Sequence, residues 1–223
     1  MIPIADANPR RRVPIATILL IMANVVVFLY QITLSPERLS AFLAHWAVIP
    51  LRITQFWEPK TALTLVTATF LHGGWLHLLS NMLYLWIFGD NVEDILSPFL
   101  YLPFYLLSGI VGSLAQVAAS ASSSVPIIGA SGAVAGILGA YIVLFPRNRV
   151  RTVIILFYFL RVVDVPAAIV LGMWFILQLF NGLAAIARVS SGGVAWFAHL
   201  GGFALGIVAG ILARSKRRSA IYG

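Results

Sequence analysis

Residues 194–218 read VAWFAHLGGFALGIVAGILARSKRR, and this stretch decides the class of fold. Its first twenty residues, 194–213, hold His199 as their one strongly polar side chain, and Arg214, Lys216, Arg217 and Arg218 follow directly. At about 1.5 Å per helical residue such a run matches the ~30 Å hydrocarbon core of a bilayer. A basic cluster behind an apolar run marks the cytoplasmic end of a membrane span. Within the run Gly202, Gly206 and Gly210 recur every fourth residue. They lay a smooth strip along one helix face, along which a second helix can pack backbone to backbone.

Composition extends this to the whole chain. Of 223 residues 61% are hydrophobic and 10% charged, with a mean hydropathy of +0.96. Soluble domains carry about 25% charged residues, so a water-soluble globule is excluded. A disordered chain is excluded too, because it cannot hold this much apolar surface. Apolar runs fall at 14–34, 73–89, 95–119, 131–146, 167–186 and 194–213. The first is too long for the apolar region of a cleaved signal peptide, so it reads as a retained helix. The expected fold is all-α, a single six-transmembrane-helix bundle over residues 1–223. The segment 35–72, with Pro36, Pro50, Pro59, Trp46 and Trp57, reads as a partly structured loop at the interface. Asp90 to Asp94 reads as an acidic turn, and 152–166 as an interfacial lead-in to the fifth span.

The net charge of +8 is concentrated at span ends, with Arg10, Arg11 and Arg12 before the first run. That distribution is a membrane signature and not a nucleic-acid groove. Six spans return the chain to its starting side, so both basic termini are expected to be cytoplasmic, together with Arg147, Arg149 and Arg151. The absence of cysteine removes disulfides, thiol nucleophiles and iron–sulfur clusters.

Polar groups inside hydrocarbon are costly, and those in spans are functional candidates. His77 and Asn81 lie on the second run, Ser131 opens the fourth, and His199 lies on the sixth. Counted from the inner ends of their runs, His77, Ser131 and His199 sit at roughly 20, 24 and 22 Å. Asn81 is one turn deeper than His77 on the same face. This layer suits acyl transfer. A serine hydroxyl needs a base within reach, and His199 is the natural one. The resulting oxyanion needs donors in place, and the start of a helix offers unpaired N–H groups. His77 and Asn81 add side-chain donors. No carboxylate shares the layer, so a Ser-His dyad is expected instead of a triad.

Gly129-Ala130-Ser131-Gly132 resembles the GxSG nucleophile motif of rhomboid intramembrane serine proteases. Ala198-His199 with Gly202 and Gly206 resembles their AHxxGxxxG helix, and His72, His77 and Asn81 their H-x4-H-x3-N pattern. The three motifs stand in the family's order. The resemblance implies that Ser131 is the nucleophile and His199 the base. His77, Asn81 and the Ser131 backbone N–H would form the oxyanion hole. It also implies cleavage of transmembrane protein substrates among membrane lipids, without metal or cofactor. In the family the segment after the first span is membrane-embedded and carries a Trp-Arg pair; Leu51-Arg52 is the nearest match here. Where some members place an aromatic side chain one turn after the nucleophile, this chain has Ala135, so another group must orient His199.

Other readings stand beside these. Ser131 alone would be a helix N-cap, and His77 with Asn81 a structural polar pair. His72 suits ordering of the preceding loop as well as chemistry. A metal site is poorly served, because His72 and His77 are five apart and no carboxylate joins them. Asn24 and Gln31 are expected to bond between helices or at the interface, and the loop from Arg188 to Ala195, with Gly192 and Gly193, to form movable cover. A catalytically silent scaffold and a small membrane transporter are the alternative functions. The compact chain suggests a prokaryotic plasma membrane, with the site opening to the extracytoplasmic side.

Overall fold

The computed structural model describes residues 1–9, 12–56, 58–156, 159–187 and 194–222. Strand β1 (Ile2–Asp6) precedes helix α1 (Ile15–Gln31), which is followed by α2 (Pro36–Trp46), α3 (Pro50–Gln55) and α4 (Pro59–Thr67), the last ending in a 3-10 turn, Ala68–Phe70. Next come α5 (Trp75–Leu96), α6 (Pro98–Ala119) and α7 (Ser131–Leu144). Strands β2 (Arg149–Leu156) and β3 (Phe159–Pro166) lead into α8 (Ala167–Ala187) and α9 (Trp196–Tyr222).

The protein is an integral membrane protein, and the six apolar runs correspond to α1, α5, α6, α7, α8 and α9. Among the described residues three helices, Pro98–Ala119, Ala167–Ala184 and Trp196–Ser215, are long and apolar enough to cross a bilayer. A fourth qualifies if Pro59–Phe70 and Trp75–Leu96, bent by 82°, count as one span. Helix α7 has 14 residues, about 21 Å, and begins inside the bundle. A helix end at that depth is tolerated only when protein or a water-lined cavity surrounds it. Residues Gly132 to Tyr141 are all buried, because α5, α6 and α9 enclose the helix.

Close approach of α7 and α9 rests on glycine. A β-carbon at Gly206 would lie 1.9 Å from the Gly136 carbonyl oxygen, and one at Gly202 equally close to that of Gly132. The strip read from the sequence is therefore the seam between these two helices.

Three expectations need correction. The fold is not all-α: β1, β2 and β3 form an antiparallel sheet in that order. Residues 150–165 are rich in Val, Ile and Thr, which favour the pleated surface. They fold back on themselves, pairing Arg151 with Asp164 and Val153 with Val162, with an Arg151–Asp164 ion pair of 3.5 Å. The segment 152–166 is thus the body of a hairpin and not an interfacial lead-in.

Asp90 to Asp94 is not a turn but the last part of α5. The carboxylate of Glu93 is buried. It accepts hydrogen bonds from the backbone N–H groups of Ala16 (2.9 Å) and Thr17 (2.8 Å) and from the Thr17 hydroxyl (2.8 Å). Pro14, the N-cap of α1, has no side chain able to do this. The break comes later, at Ser97, the one non-glycine described residue with positive φ (65°), just before Pro98 starts α6.

Finally, 35–72 is largely helical. Proline at the first turn of α2, α3 and α4 sets φ where no intrahelical N–H bond is needed. The segment is tied to residues 121–129 by paired backbone bonds between Val48 and Ile127, by Leu51 N–H to Ser123 O, and by Gly129 N–H to Ala68 O. Arg52 donates to the Ala44 carbonyl within the segment. Trp57, Arg10 and Arg11 lie outside the described residues.

Candidate active site

The N-terminal ends of α5, α7 and α9 face one cavity of about 1110 Å³, whose lining includes Ser131, His199, His77 and Asn81. The three helices therefore run in the same direction. Ser131 is the first residue of α7. The N-cap is Ala130, which is helical (φ −68°, ψ −8°) and offers no capping side chain, so the N-cap reading of Ser131 does not hold. The next residue, Gly132, packs on the residue before His199: a β-carbon there would sit 3.4 Å from the Ala198 carbonyl oxygen. This contact brings the two side chains to the same wall. Among the described residues the Ser131 hydroxyl has no hydrogen-bond partner, His199 included. Such bonds are often loose without substrate.

His199 is 7% exposed. Its Nδ1 lies 2.7 Å from Oε1 of Gln178 on α8. The Trp174 ring lies 5.8 Å from the imidazole at 38°, and Trp196 presents itself edge-on at 6.1 Å. Gln178, Trp174 and Trp196 thus surround the imidazole, whereas position 135 offers only the Ala135 methyl group.

His77 and Asn81 border the loop that delivers Ser131. Gly129 adopts φ +123°, and a β-carbon on it would lie 2.6 Å from His77 Nε2 and 3.8 Å from Asn81 Nδ2. Only glycine accepts both the dihedral and the contact. Nδ1 of His77 receives a long bond (3.4 Å) from the Gly73 N–H, which leaves the ring proton to Nε2, the nitrogen facing Gly129. Asn81 Nδ2 lies 3.1 Å from His72 Nε2. An amide nitrogen only donates, so that His72 nitrogen accepts. His72 is itself fixed by Gln31, whose side chain donates to the His72 carbonyl (3.1 Å) and accepts from its N–H (3.0 Å). His72 is thus buried beneath Asn81, and Gln31 bonds across elements as expected. Asn24 donates within its own helix to Leu20 O (2.7 Å) and lies beside the Tyr105 hydroxyl of α6.

Among the described residues no three His, Asp or Glu side chains group as a metal site. Of the expected movable cover, Arg188 to Gly193 lie outside the described residues. Sequence reading missed Gln178 and Trp174. Their signal was weak: Gln178 is one of two amides in an otherwise apolar span, the other being Asn181, and an aromatic residue stands one turn before it.

Residues 54–216 match the Rhomboid domain family model. The chain belongs to the rhomboid family. It is 33% identical over 153 residues to Rhomboid protein 1, mitochondrial, of Saccharomyces cerevisiae, covering 66% of this chain and 41% of that protein. It is 33% identical over 145 residues to Rhomboid protease GluP of Bacillus subtilis, covering 65% of this chain and 25% of that protein. It is 26% identical over 152 residues to the presenilin-associated rhomboid-like protein, mitochondrial, of Bos taurus, covering 64% and 36% respectively. This rhomboid spans less than half the length of each of these relatives.

Proposed function

We propose that this rhomboid is an intramembrane serine endopeptidase that cuts transmembrane proteins within or beside their membrane segments. The observation that carries the proposal is the single cavity lined by Ser131, His199, His77 and Asn81. Ser131 Oγ attacks the scissile carbonyl carbon while His199 Nε2 takes its proton. The oxyanion is met by His77 Nε2–H, an Asn81 N–H and the Ser131 backbone N–H, which the start of α7 leaves unpaired. His199 then gives the proton to the leaving amine. A water, deprotonated by the same imidazole, releases the acyl group. No metal or cofactor is assigned a step. Gly129 and Gly132 shape the nucleophile loop, while Gly202 and Gly206 hold α9 against α7.

The partners in this proposal are transmembrane substrates and the surrounding lipid. Both termini are placed in the cytoplasm and the cavity opens to the other side, as the basic span ends favour. The relatives include proteins named as mitochondrial and chloroplastic beside one from Bacillus subtilis, so the matches do not support a prokaryotic plasma membrane over other membranes.

The test is incubation of detergent-purified protein with a panel of transmembrane substrates. Ser131→Ala and His199→Ala are each expected to lower cleavage at least about a thousandfold while folding normally. A fluorophosphonate probe should label only chain that retains Ser131. Cleavage that survives Ser131→Ala would remove the enzymatic assignment and favour a scaffold or transporter.

A further inference from the structure

We propose that Gln178 is the positioning residue for the His199 base. Its side-chain oxygen holds the imidazole in the tautomer protonated on Nδ1, so that Nε2 stays free to take the Ser131 proton. The inference rests on the peptidase assignment above and deepens it.

Chemistry at the contact is restrictive. A carboxamide oxygen accepts and cannot donate. Gln178 Oε1 lies 2.7 Å from His199 Nδ1, so Nδ1 must carry the hydrogen. In a neutral imidazole the other nitrogen is then the acceptor. Turned around, the amide would present its NH2 to Nδ1 and force the proton onto Nε2, a form that cannot act as base. Orientation of this one amide therefore decides whether His199 can work.

No carboxylate is placed to do the same. The chain has seven Asp and Glu residues, and none lines the cavity, where His77 and Tyr84 are the other ionisable side chains. The single acid after Asp94 is Asp164, paired with Arg151 in the sheet. Gln178 thus stands where a triad would place a carboxylate, and supplies direction without charge.

Position on α8 supports the assignment. Ile176, Leu177 and Phe180 expose 51%, 58% and 66% of their surfaces, whereas Gln178 exposes 8%. A single amide turned inward from an apolar helix needs a reason to be there. Trp174, four residues earlier and on the same face, lies 5.8 Å from the imidazole. The pair fixes both the ring plane and its proton, and both come from a helix other than the one that carries the base.

The test uses the full chain in detergent with Gln178→Leu and Gln178→Glu. The leucine variant keeps the volume and loses the acceptor. Its kcat is expected to fall about 100- to 10,000-fold, with KM within roughly threefold and thermal stability close to wild type. The glutamate variant keeps an acceptor and adds charge that favours the imidazolium. It should retain far more activity than the leucine variant, and the acid limb of its pH–kcat profile should move to higher pH. Independently of activity, 15N shifts of His199 in the wild type should report a proton on Nδ1. A leucine variant with wild-type kcat, or a wild-type His199 protonated on Nε2, overturns the proposal. If Ser131→Ala and His199→Ala still cleave, the peptidase assignment fails, yet the nitrogen shifts still judge the tautomer. If those variants are dead and the leucine variant is fully active, only the positioning role fails.

Discussion

The α-carbon of Gly202 rests on the carbonyl of Gly132, so closely that a β-carbon would come within 1.9 Å of the oxygen and 2.9 Å of the carbonyl carbon. The obstacle is backbone in a buried helix and has no rotamer to yield. Gly202→Ala should therefore part α7 from α9, and Gly202→Val more so. Overpacking of this kind costs about 1–3 kcal/mol, seen as a lower melting temperature in detergent. Gly172 on α8 provides the contrast, since nothing lies within 4 Å of its β-position. Gly172→Ala should be neutral or gain up to about 1 kcal/mol. Equal effects at the two sites would mean that the seam is not what makes Gly202 necessary.

Gly129 predicts a loss of a different kind. Gly129→Ala faces a positive φ (+123°) and a 2.6 Å clash with His77 Nε2, the donor proposed for the oxyanion. Cleavage should drop about 100- to 1,000-fold, as for removal of an oxyanion donor, and His77→Ala should give a similar loss. Combining the two should add little, because both act on one group. Gly74→Ala, where the β-position is open, should cleave normally. A double variant whose loss is the product of the single losses would separate Gly129 from His77.

The spans and motifs were legible because a bilayer imposes long apolar runs and penalises polar groups within them. Ser131, His77, Asn81 and His199 stood out against that background, and they do line one cavity. What escaped reading depends on partners distant in sequence. Val153 to Val163 is apolar apart from Arg161 whether it lies at an interface or pairs as a hairpin, and β1 joins β2 from residues 2–6. Asp90 to Asp94 resembles a loop by charge, but Glu93 is helical and buried because α1 needs a cap. Gln178 was overlooked because α8 carries two amides, Gln178 and Asn181, and neither forms a motif; which of them faces inward appears only when α8 lies beside α9.

Asp6 gives a pH prediction remote from the cavity. Burial raises its carboxyl above the ordinary 3.8, against the opposing pull of the Tyr141 hydroxyl bond, which is 2.6 Å long. With the folded-state value raised, the folded chain binds more protons than the unfolded one between the two values. The associated stability is fully present below about pH 4 and is lost as pH rises through the folded-state value. Asp6→Asn keeps an acceptor for Tyr141 and removes the ionisation. The melting temperature of wild type relative to this variant should therefore fall on going from about pH 4 to pH 7. A difference that stays constant, or grows, over that range would exclude the sign assigned to Asp6.

The start of α1 depends on a side chain from another helix. Glu93 accepts from the N–H groups of Ala16 and Thr17 and from the Thr17 hydroxyl, at the end of the bundle opposite the cavity. Replacing it with alanine orphans the buried N–H groups of Ala16 and Thr17 and leaves the Thr17 hydroxyl only the Tyr101 oxygen, 3.2 Å away. Each unsatisfied group costs about 1–3 kcal/mol, so Glu93→Ala should be among the most destabilising single changes outside the seam. Glu93→Gln turns an NH2 toward a donor and should also destabilise, though less. Thr17→Val removes one bond of the three and should cost about 1 kcal/mol. None of these changes touches Ser131 or His199, so cleavage measured well below the melting temperature should stay near wild type. Thermal unfolding and cleavage followed on the same samples separate the two effects. If Glu93→Ala abolished cleavage without lowering the melting temperature, its carboxylate would have to act on the site and not on the helix it caps.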